Sequence, residues 1–243
     1  MATLAVYSAK GGVGKTSLAV NMAWAAATLS SRRSLLWDLD AQAAASFILA
    51  PKARLRDEAR TVIEREVEPD RLIVPTGIAN LDILPADASL RTLDLLFEEI
   101  GAKKRLQRIG ELLAGRYDRV VIDCPPGLGI TAEQVIRGAT LILLPLIPSA
   151  LSMRSADELR RHLDQRRKGA PQVLPVFNMV DRRRAAHRQA IDDAPGQAVI
   201  PMASLVEQMA ERHAPVGAYA PRAPVTRAIT TLWRDVERRL TTL

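Results

Sequence analysis

Short apolar runs alternate with longer amphipathic segments along this chain of 243 residues. Several of the short runs are apolar at every position, which is typical of parallel strands covered on both faces. We predict strands over residues 4–7, 34–37, 81–84, 120–122, 141–144 and 173–177, with a further short strand ending near residue 200. Helical spacing predicts helices over residues 17–30, 88–100, 103–114, 130–138, 150–167, 204–213 and 224–241.

The alternation of strands and helices predicts an α/β fold with a doubly wound, mostly parallel β-sheet flanked by helices. The sequence contains no internal repeat and no linker rich in Gly, Ser or Pro, so we expect residues 1–243 to form a single domain. Ligands of such sheets bind at the carboxyl ends of the strands. The loops that follow the predicted strands are therefore where we look for a functional site.

The composition is that of a folded protein outside the membrane, with 48% apolar and 25% charged residues. The longest apolar stretch, residues 139–148, is too short to span a bilayer, and the first residues lack the basic start of a signal peptide. Cys124 is the single cysteine, which excludes internal disulfides and multi-cysteine metal centres. These features predict a cytoplasmic protein without a membrane partner.

The charge balance is basic, with 34 Lys and Arg against 27 Asp and Glu and a net charge of +7. Such an excess favours a polyanionic partner, either nucleic acid or anionic lipid. An arginine-rich composition can equally reflect solvated helix faces. The charge therefore indicates a class of partner without choosing one.

A glycine-rich segment, SAKGGVGKTS at residues 8–17, follows the first predicted strand and precedes a helix. It fits the general phosphate-binding P-loop pattern except that Ala9 stands where that pattern has glycine. The glycines let the backbone curl so that successive N–H groups face a phosphate, and the helix presents its positive end. Lys15 can reach the β- and γ-phosphates, and the Thr16 hydroxyl is placed to ligate Mg²⁺.

Carboxylates follow two further predicted strands. Asp38 and Asp40 lie on the same side of the extended segment that ends the second strand, because side chains alternate along a strand. Asp123 ends an apolar strand in the form of a Walker B motif and would hold Mg²⁺ through water. As an alternative, one of the first pair, most simply Asp38, caps the next helix.

Residues 10–16, KGGVGKT, resemble the deviant Walker A loop of the ParA/MinD superfamily of ATPases, which are P-loop NTPases. In that family the extra lysine, here Lys10, reaches across a dimer interface to the nucleotide of the partner subunit. Such a lysine neutralises charge that develops on the transferred phosphoryl group. Alternatively, Lys10 is a surface lysine beside a loop. The resemblance implies ATP and Mg²⁺ as cofactors and contacts to nucleotide from Lys10, Gly11, Gly12, Val13, Gly14, Lys15, Thr16 and Ser17.

The segment DLDAQ after the second strand resembles the DxDPQ segment of the same family, with Ala41 in place of proline. The resemblance implies that Asp40 positions or activates the attacking water, so that the catalytic residues are Lys10, Lys15 and Asp40. It also makes Asp38 a partner in the Mg²⁺ shell, giving a metal set of Thr16, Asp38 and Asp123. Residues 125–129, PPGLG, resemble the switch II loop of the family.

The resemblance extends to base recognition. Asn178 stands in a segment similar to an NxxD motif whose asparagine binds the adenine edge, although an asparagine there can also form a turn. Pro201 and Met202 belong to a segment similar to the family's IPR motif, with methionine in place of arginine. Residues 211–222 resemble the ending of the family. The resemblance thus covers nearly the whole chain apart from residues 50–75 and 182–197, and we expect His187 and His213 at the surface.

Within the superfamily, the early P-loop leaves no room for a preceding helix-turn-helix domain, as in small and chromosomal ParA proteins. MinD proteins carry an additional amphipathic membrane helix, and the last predicted helix here uses its apolar stripe for the core. Duplex DNA is therefore the expected partner of the arginine clusters, through phosphate contacts. These clusters are Arg160–Arg161, Arg166–Lys168, Arg182, Arg183 and Arg184 with Arg188, and Arg222 with Arg227.

The resemblance therefore implies a partitioning ATPase. An ATP-dependent homodimer would hold nucleoid DNA without reading its sequence, and a ParB-like activator protein would trigger weak basal hydrolysis and release. The plasmid or chromosomal origin stays open. Alternatives are a ParA-like ATPase that positions a chemotaxis array, carboxysome or cellulose synthase, a MinD-like division-site ATPase, and an interaction scaffold in which ATP clamps the dimer.

Overall fold

The computed structural model describes residues 1–101, 104–164 and 170–242. Its strands are β1 (Ala2–Val6), β2 (Ser34–Asp38), β3 (Val74–Pro75), β4 (Leu81–Leu84), β5 (Arg119–Asp123), β6 (Leu141–Leu146), β7 (Gln172–Val180) and β8 (Ala198–Pro201). Its helices are α1 (Lys15–Leu29), α2 (Ala44–Leu49), α3 (Ala59–Glu64), α4 (Leu93–Ile100), α5 (Arg105–Leu113), α6 (Ile130–Gly138), α7 (Ala150–Asp164), α8 (Ala185–Asp192), α9 (Ser204–Glu207), α10 (Met209–Arg212), α11 (Val216–Tyr219) and α12 (Pro224–Thr242). Short 3₁₀ turns lie at Pro69–Arg71 and Ala88–Thr92.

The eight strands form one sheet in the order β3-β4-β2-β5-β1-β6-β7-β8. Every neighbouring pair is parallel except β3 and β4. This arrangement confirms the predicted doubly wound, mostly parallel sheet, and all seven predicted strands are present, including the short one ending near residue 200. The antiparallel edge strand β3, only two residues long, carries no periodic signal in the sequence and was not predicted.

The register brings three strand ends together at one edge of the sheet. Val6 of β1 pairs with Asp123 of β5, and Asp38 of β2 pairs with the same residue. The P-loop, the segment after Asp38 and the segment after Asp123 therefore leave the sheet side by side. This is the carboxyl edge at which ligands of such sheets bind.

Helices cover both faces of the sheet, which explains why its central strands are apolar at successive positions. On one face α1 and α12 pack over Leu4 and Val6 of β1. On the other face α4 to α7 pack over Ala5 and the residue that follows β1, Tyr7. As a result, every residue of β1, β2 and β5 is buried.

Several short helices were missed by the sequence prediction, namely α2, α3, α8 and α11, and the predicted helix 204–213 is divided into α9 and α10. Helices of four to eight residues are marginal on their own and are stabilised by the contacts they make. The last part of the predicted helix 150–167 and the cluster Arg166–Lys168 lie outside the described residues. No helix in the described ranges has both the length and the apolar character to cross a bilayer.

The prediction that His187 lies at the surface is wrong. His187 belongs to α8 and is only 2% exposed, and its Nδ1 accepts a hydrogen bond from the Asp181 N–H at 3.1 Å. Burial lowers the pKa of His187, so its neutral form is favoured. His213, by contrast, is exposed as expected, beside Phe47. The single-domain organisation of residues 1–243 stays a prediction.

Candidate functional site

The loop between β1 and α1 forms a backbone cradle at the carboxyl edge. Gly12 and Gly14 have φ angles of 73° and 83°, in the left-handed region that glycine adopts without strain. Lys15 begins α1 and is 7% exposed, and its Nζ donates a hydrogen bond to the Lys10 carbonyl oxygen at 3.1 Å. Burial lowers the pKa of Lys15, and the nearby Asp123 acts in the opposite direction. The loop is therefore folded around a buried lysine.

The cradle rests on Asn178 at the end of β7. The Asn178 side chain is buried and its Nδ2 donates to the Val13 carbonyl oxygen at 2.8 Å. A Cβ on Gly14 would lie 2.4 Å from that same nitrogen, so this glycine is required by close approach as well as by its φ angle. Asn178 thus ties β7 to the P-loop across 165 residues of sequence.

Asp123 at the end of β5 carries a buried carboxylate beside the Thr16 hydroxyl. It is fully buried, and neither oxygen forms a hydrogen bond with any described residue. Burial and the neighbouring Asp38 raise the pKa of Asp123 well above its usual range, whereas the Thr16 hydroxyl beside it lowers the pKa. A buried carboxylate next to a hydroxyl is the arrangement that a bound divalent cation would satisfy.

Within the described ranges no group of three or more His, Cys, Asp and Glu side chains could hold a metal. Mg²⁺ keeps several waters and is bound by one or two carboxylates together with substrate phosphates. The oxygen donors of Asp123 and Thr16 therefore fit a cation whose remaining ligands come from water and a nucleotide.

Asp38 has different surroundings although it pairs with Asp123. Its Oδ2 accepts hydrogen bonds from the Ser46 amide at 2.9 Å and the Ser46 hydroxyl at 2.7 Å, and its Oδ1 accepts from the Asp40 amide at 3.1 Å. Burial raises the pKa of Asp38 to about 6. Ser46 lies in the first turn of α2, so Asp38 makes the helix-capping contact considered as the alternative. A contribution of Asp38 to a Mg²⁺ shell stays a prediction.

Asp40 lies in the turn that leads into α2. It is half-buried, its Oδ1 accepts from the Gln42 amide at 3.0 Å, and its carbonyl accepts from the Ala43 amide at 2.8 Å. Asp40 is close enough to Lys15 to raise the pKa of that lysine. The structure thus brings Asp40 to the same edge as the P-loop and leaves its carboxylate only partly covered.

A cavity of about 260 Å³ opens beside the P-loop. Its volume is below the range of 300–1,000 Å³ that is typical of whole-ligand pockets, so it suits one part of a ligand, such as a base. The lining is largely apolar and includes Gly12, Gly14, Ser17, Asn178, Met179, Pro201, Met202 and Ile229. The predicted residues Asn178, Pro201 and Met202 are therefore brought together next to the cradle.

Sequence reasoning missed several residues that line this cavity, among them Met179 and Ile229. Met179 has a φ of 55° where the pairing of β7 with β8 shifts register between Phe177 and Val180, and this bulge shapes the cavity wall. Ile229 comes from α12, whose apolar stripe was assigned to the core alone. Neither residue carries a sequence signal that distinguishes it from a core residue.

Lys10, unlike Lys15, is exposed and forms no ion pair with a described residue. Large apolar side chains at the same edge are also exposed, Leu128 by 75% after β5 and Leu151 by 71% after β6. The edge that carries the P-loop therefore exposes both a lysine ammonium group and apolar side chains.

The arginines expected to contact DNA differ in whether their side chains already bind other groups of the protein. Arg183 pairs with Asp181 at 2.9 Å, and the Arg188 guanidinium donates to the carbonyl oxygens of Arg182 and Arg183. Arg182, Arg184 and Arg222 are exposed and form no ion pair within the described part of the chain. Arg222 stands just before α12, and its carbonyl accepts a hydrogen bond from Arg227.

Comparisons with known proteins agree with this geometry. A family model described as an AAA domain, AAA_31, matches residues 1–174. The chromosome partitioning protein ParA of Caulobacter vibrioides is 29% identical over 254 residues, covering 97% of this chain and 94% of that protein. ParA of Myxococcus xanthus is also 29% identical, with coverage of 79% and 70%.

Solved structures share the fold. The cell division ATPase MinD of Pyrococcus furiosus superposes with a TM-score of 0.80 at 22% identity, covering 98% of each chain. Cobyrinic acid a,c-diamide synthase of Mycobacterium smegmatis with bound ADP and magnesium gives a TM-score of 0.80 at 25% identity, covering 99% of this chain and 96% of that one. An ATP complex of McdA from Cyanothece gives 0.81 at 19% identity, covering 99% and 96%.

The sheet, the glycine cradle and the buried carboxylate define a P-loop nucleotide-hydrolysing protein. The chain belongs to the AAA_31 family of AAA domains and to the ParA/MinD superfamily of deviant Walker A ATPases.

Proposed function

We propose that this protein is a ParA-type partitioning ATPase that binds ATP with Mg²⁺, dimerises on ATP and holds duplex DNA without sequence preference. The observation that carries the proposal is the juxtaposition of the Lys15 cradle, the unpartnered Asp123 carboxylate and the Asn178 cavity at one edge of the sheet. Proteins with other activities share this fold, so the fold alone does not select a partitioning role. Similarity to a chromosome partitioning ParA over 97% of the chain supports that role.

In this proposal the P-loop amides and the Lys15 ammonium bind the β- and γ-phosphates. Thr16 and Asp123 would hold Mg²⁺, and the bound ion would neutralise phosphate charge. Asp40 orients a water molecule toward the γ-phosphorus, and the adenine occupies the cavity beside Asn178, Pro201 and Met202. The partly covered carboxylate of Asp40 beside buried Lys15 supports that role.

The proposed dimer pairs two copies through the carboxyl edge, with Lys10 of each copy reaching the nucleotide of the other. Exposed Lys10 and the exposed side chains of Leu128 and Leu151 at this edge support it. Apolar surface of this kind is commonly buried in protein interfaces. A ParB-like activator protein would then stimulate hydrolysis and release the dimer.

The proposed DNA contacts are made by Arg222 and by Arg182 and Arg184, with Arg183 and Arg188 ordering the loop between β7 and α8. The net charge of +7 supports a polyanionic partner. DNA bound in this way would place the protein on the nucleoid, within the cytoplasm that we propose as its compartment. The dimer joins two sets of arginines, so it neutralises about twice as many phosphates as one copy.

Gel shifts on two unrelated duplexes across a salt series test the proposal. We expect the ATP form to bind both duplexes equally, with a slope of log affinity against log salt of about −0.9 for each phosphate contacted, and the ADP form to bind weakly. Arg222→Ala should flatten the slope. Arg60→Ala is the matched control, because Arg60 is exposed on α3 and already pairs with Glu64.

Lys15→Ala tests whether the DNA shift depends on bound ATP, because losing the buried ammonium removes the charge-assisted contacts to the phosphates. This variant should bind no ATP and should show only the weak shift of the ADP form. Equal DNA affinity with ATP and ADP, or a strong preference for one duplex, would contradict the proposed function.

A further inference from the structure

Tyr7 lies directly beneath the P-loop and is outside every role assigned so far. Its amide donates to the Leu143 carbonyl oxygen at 3.0 Å, which extends the pairing of β1 with β6 and fixes its backbone. The side chain is 2% exposed and points to the same face of the sheet as Ala5. Its hydroxyl donates a hydrogen bond to the Gly127 carbonyl oxygen at 2.8 Å.

Gly127 lies within residues 125–128, which we call the 125–128 loop, and it is held from two sides. Its carbonyl accepts from Tyr7, and its amide donates to the Ala9 carbonyl oxygen at 3.1 Å. Both partners belong to the segment that enters the P-loop. The φ of Gly127 is 118°, a conformation that a side chain would strain. The position of this loop is therefore set by β1 and the residues after it.

The far end of the loop has an independent anchor on α4. The Thr131 amide and hydroxyl both donate to Asp94 Oδ1, at 2.7 and 2.5 Å. A Cβ on Gly129 would lie 1.9 Å from Asp94 Oδ2, so backbone and carboxylate are in close contact there. The start of α6 is thus held without help from Tyr7, and the two bonds of Gly127 govern the middle of the loop.

Space is available for the middle of the loop to move. A cavity of about 170 Å³ lies against Tyr7, Cys124, Pro125 and Gly127. Leu128 at the outer side of the loop is 75% exposed, so little packing opposes a shift. The hydrogen bonds of Gly127, rather than dense packing, therefore keep the loop beside the P-loop.

We propose that Tyr7 is a positioning residue for nucleotide hydrolysis, whose hydroxyl holds the 125–128 loop against the P-loop next to Lys10 and Asp123. The inference rests on the proposed ATPase function and names a residue that acts through the loop rather than on the nucleotide. Tyr7 is suited to the task because burial raises the pKa of its hydroxyl, which therefore remains a donor over the whole working pH range.

Tyr7→Phe removes the hydroxyl and keeps the ring, so it tests the hydrogen bond rather than the packing. We expect kcat for ATP to fall about fivefold, which corresponds to about 1 kcal/mol, while KM stays within about twofold because the cradle is untouched. Tyr117→Phe is the matched control. Tyr117 is also buried and its hydroxyl donates to Asp82 Oδ2 at 2.7 Å, but it precedes β5 at the opposite edge of the sheet.

Amide hydrogen exchange of the nucleotide-free protein supplies a readout that does not depend on activity. In Tyr7→Phe the Gly127 amide should exchange about fivefold faster or more, because its bond to Ala9 loses the support of the neighbouring bond. Amides of β1 and β5 should keep their protection, and Tyr117→Phe should leave Gly127 unchanged.

Faster exchange at Gly127 together with the lower kcat supports the proposal. Unchanged exchange, unchanged kcat, or a loss expressed in KM overturns it. A uniform loss of protection in β1 and β5 also overturns it, since Tyr7 would then stabilise the whole fold. If the unmodified protein has no ATPase activity, the proposed function is overturned instead. Amide exchange does not depend on activity, so unchanged exchange of Gly127 in Tyr7→Phe would still overturn the role of Tyr7 separately.

Discussion

Asp38 and Asp123 are register partners at the ends of neighbouring strands, yet they have opposite surroundings. Both are fully buried, but Asp38 accepts hydrogen bonds from Ser46 and Asp40, whereas Asp123 has no partner among the described residues. An unpaired buried carboxylate is costly unless something else satisfies it. The difference favours Asp123 over Asp38 as the carboxylate that faces a cation.

At the residue scale, Asp40→Ala separates nucleotide binding from hydrolysis. The variant should bind ATP normally, because the cradle and Lys15 are unchanged, and its turnover should fall by about 10² or more, because the attacking water loses its orienting carboxylate. It should accumulate as an ATP-bound dimer. Fluorescent ATP titration, phosphate release and size-exclusion chromatography measure the three properties.

Asp40→Asn is the conservative control, since an amide oxygen can still accept from the Gln42 amide that Asp40 now binds. It should hydrolyse ATP as slowly as Asp40→Ala, and the turn into α2 should stay intact. Normal turnover in either variant would transfer the role to another carboxylate, with Asp38 the next to test.

At the scale of elements, short helices take their stability from close contacts with longer ones. The Val216 amide at the start of α11 donates to Asn21 Oδ1 of α1 at 3.1 Å. Gly217 lies so close to Trp24 of α1 that a Cβ would be 2.1–2.4 Å from three ring atoms. The contact therefore holds α11 on α1 and tolerates no side chain at this position.

Gly217→Ala should destabilise the protein by about 1–3 kcal/mol, because the buried indole ring cannot move out of the way of a methyl group. Gly110→Ala in α5 is the matched control with the opposite sign. Among the described residues its Cβ would meet only the Met1 Cε, at 3.6 Å, and replacing a helical glycine by alanine stabilises by about 0.5–1 kcal/mol. Urea unfolding measures both changes, and a neutral Gly217→Ala would contradict the packing argument.

At the scale of the whole molecule, one edge of the sheet carries the P-loop, the exposed Lys10 and exposed apolar side chains. Lys10→Ala should bind ATP but remain monomeric, because in the proposed dimer the exposed Lys10 acts on the nucleotide of the partner subunit. Size-exclusion chromatography with ATP in an Asp40→Ala background, where hydrolysis is blocked, measures the pairing. Lys104→Ala is the control, because Lys104 is an exposed lysine that precedes α5, and this variant should dimerise normally. A stable dimer of Lys10→Ala with full activity would contradict the role of Lys10 across the interface.

The sequence by itself determined the sheet and most of the cradle. Strands buried on both faces are apolar along their whole length, and the glycines and lysine of a phosphate loop stand at fixed spacing, so both signals are local. Asp123 was found for the same reason, since it directly ends an apolar strand. In a parallel sheet the carboxyl ends of neighbouring strands meet at one edge, which brings these segments together.

The tertiary structure alone decided how those residues are used. Asn178 donates to the Val13 carbonyl oxygen across 165 residues, His187 is buried and accepts from the Asp181 amide, and Tyr7 reaches Gly127 from 120 residues away. Asp38 differs from Asp123 because Ser46 of α2 donates hydrogen bonds to the first carboxylate, whereas no described residue does so for the second. Local patterns of polar and apolar residues carry the period of a helix or strand, whereas these contacts depend on which elements the fold places side by side.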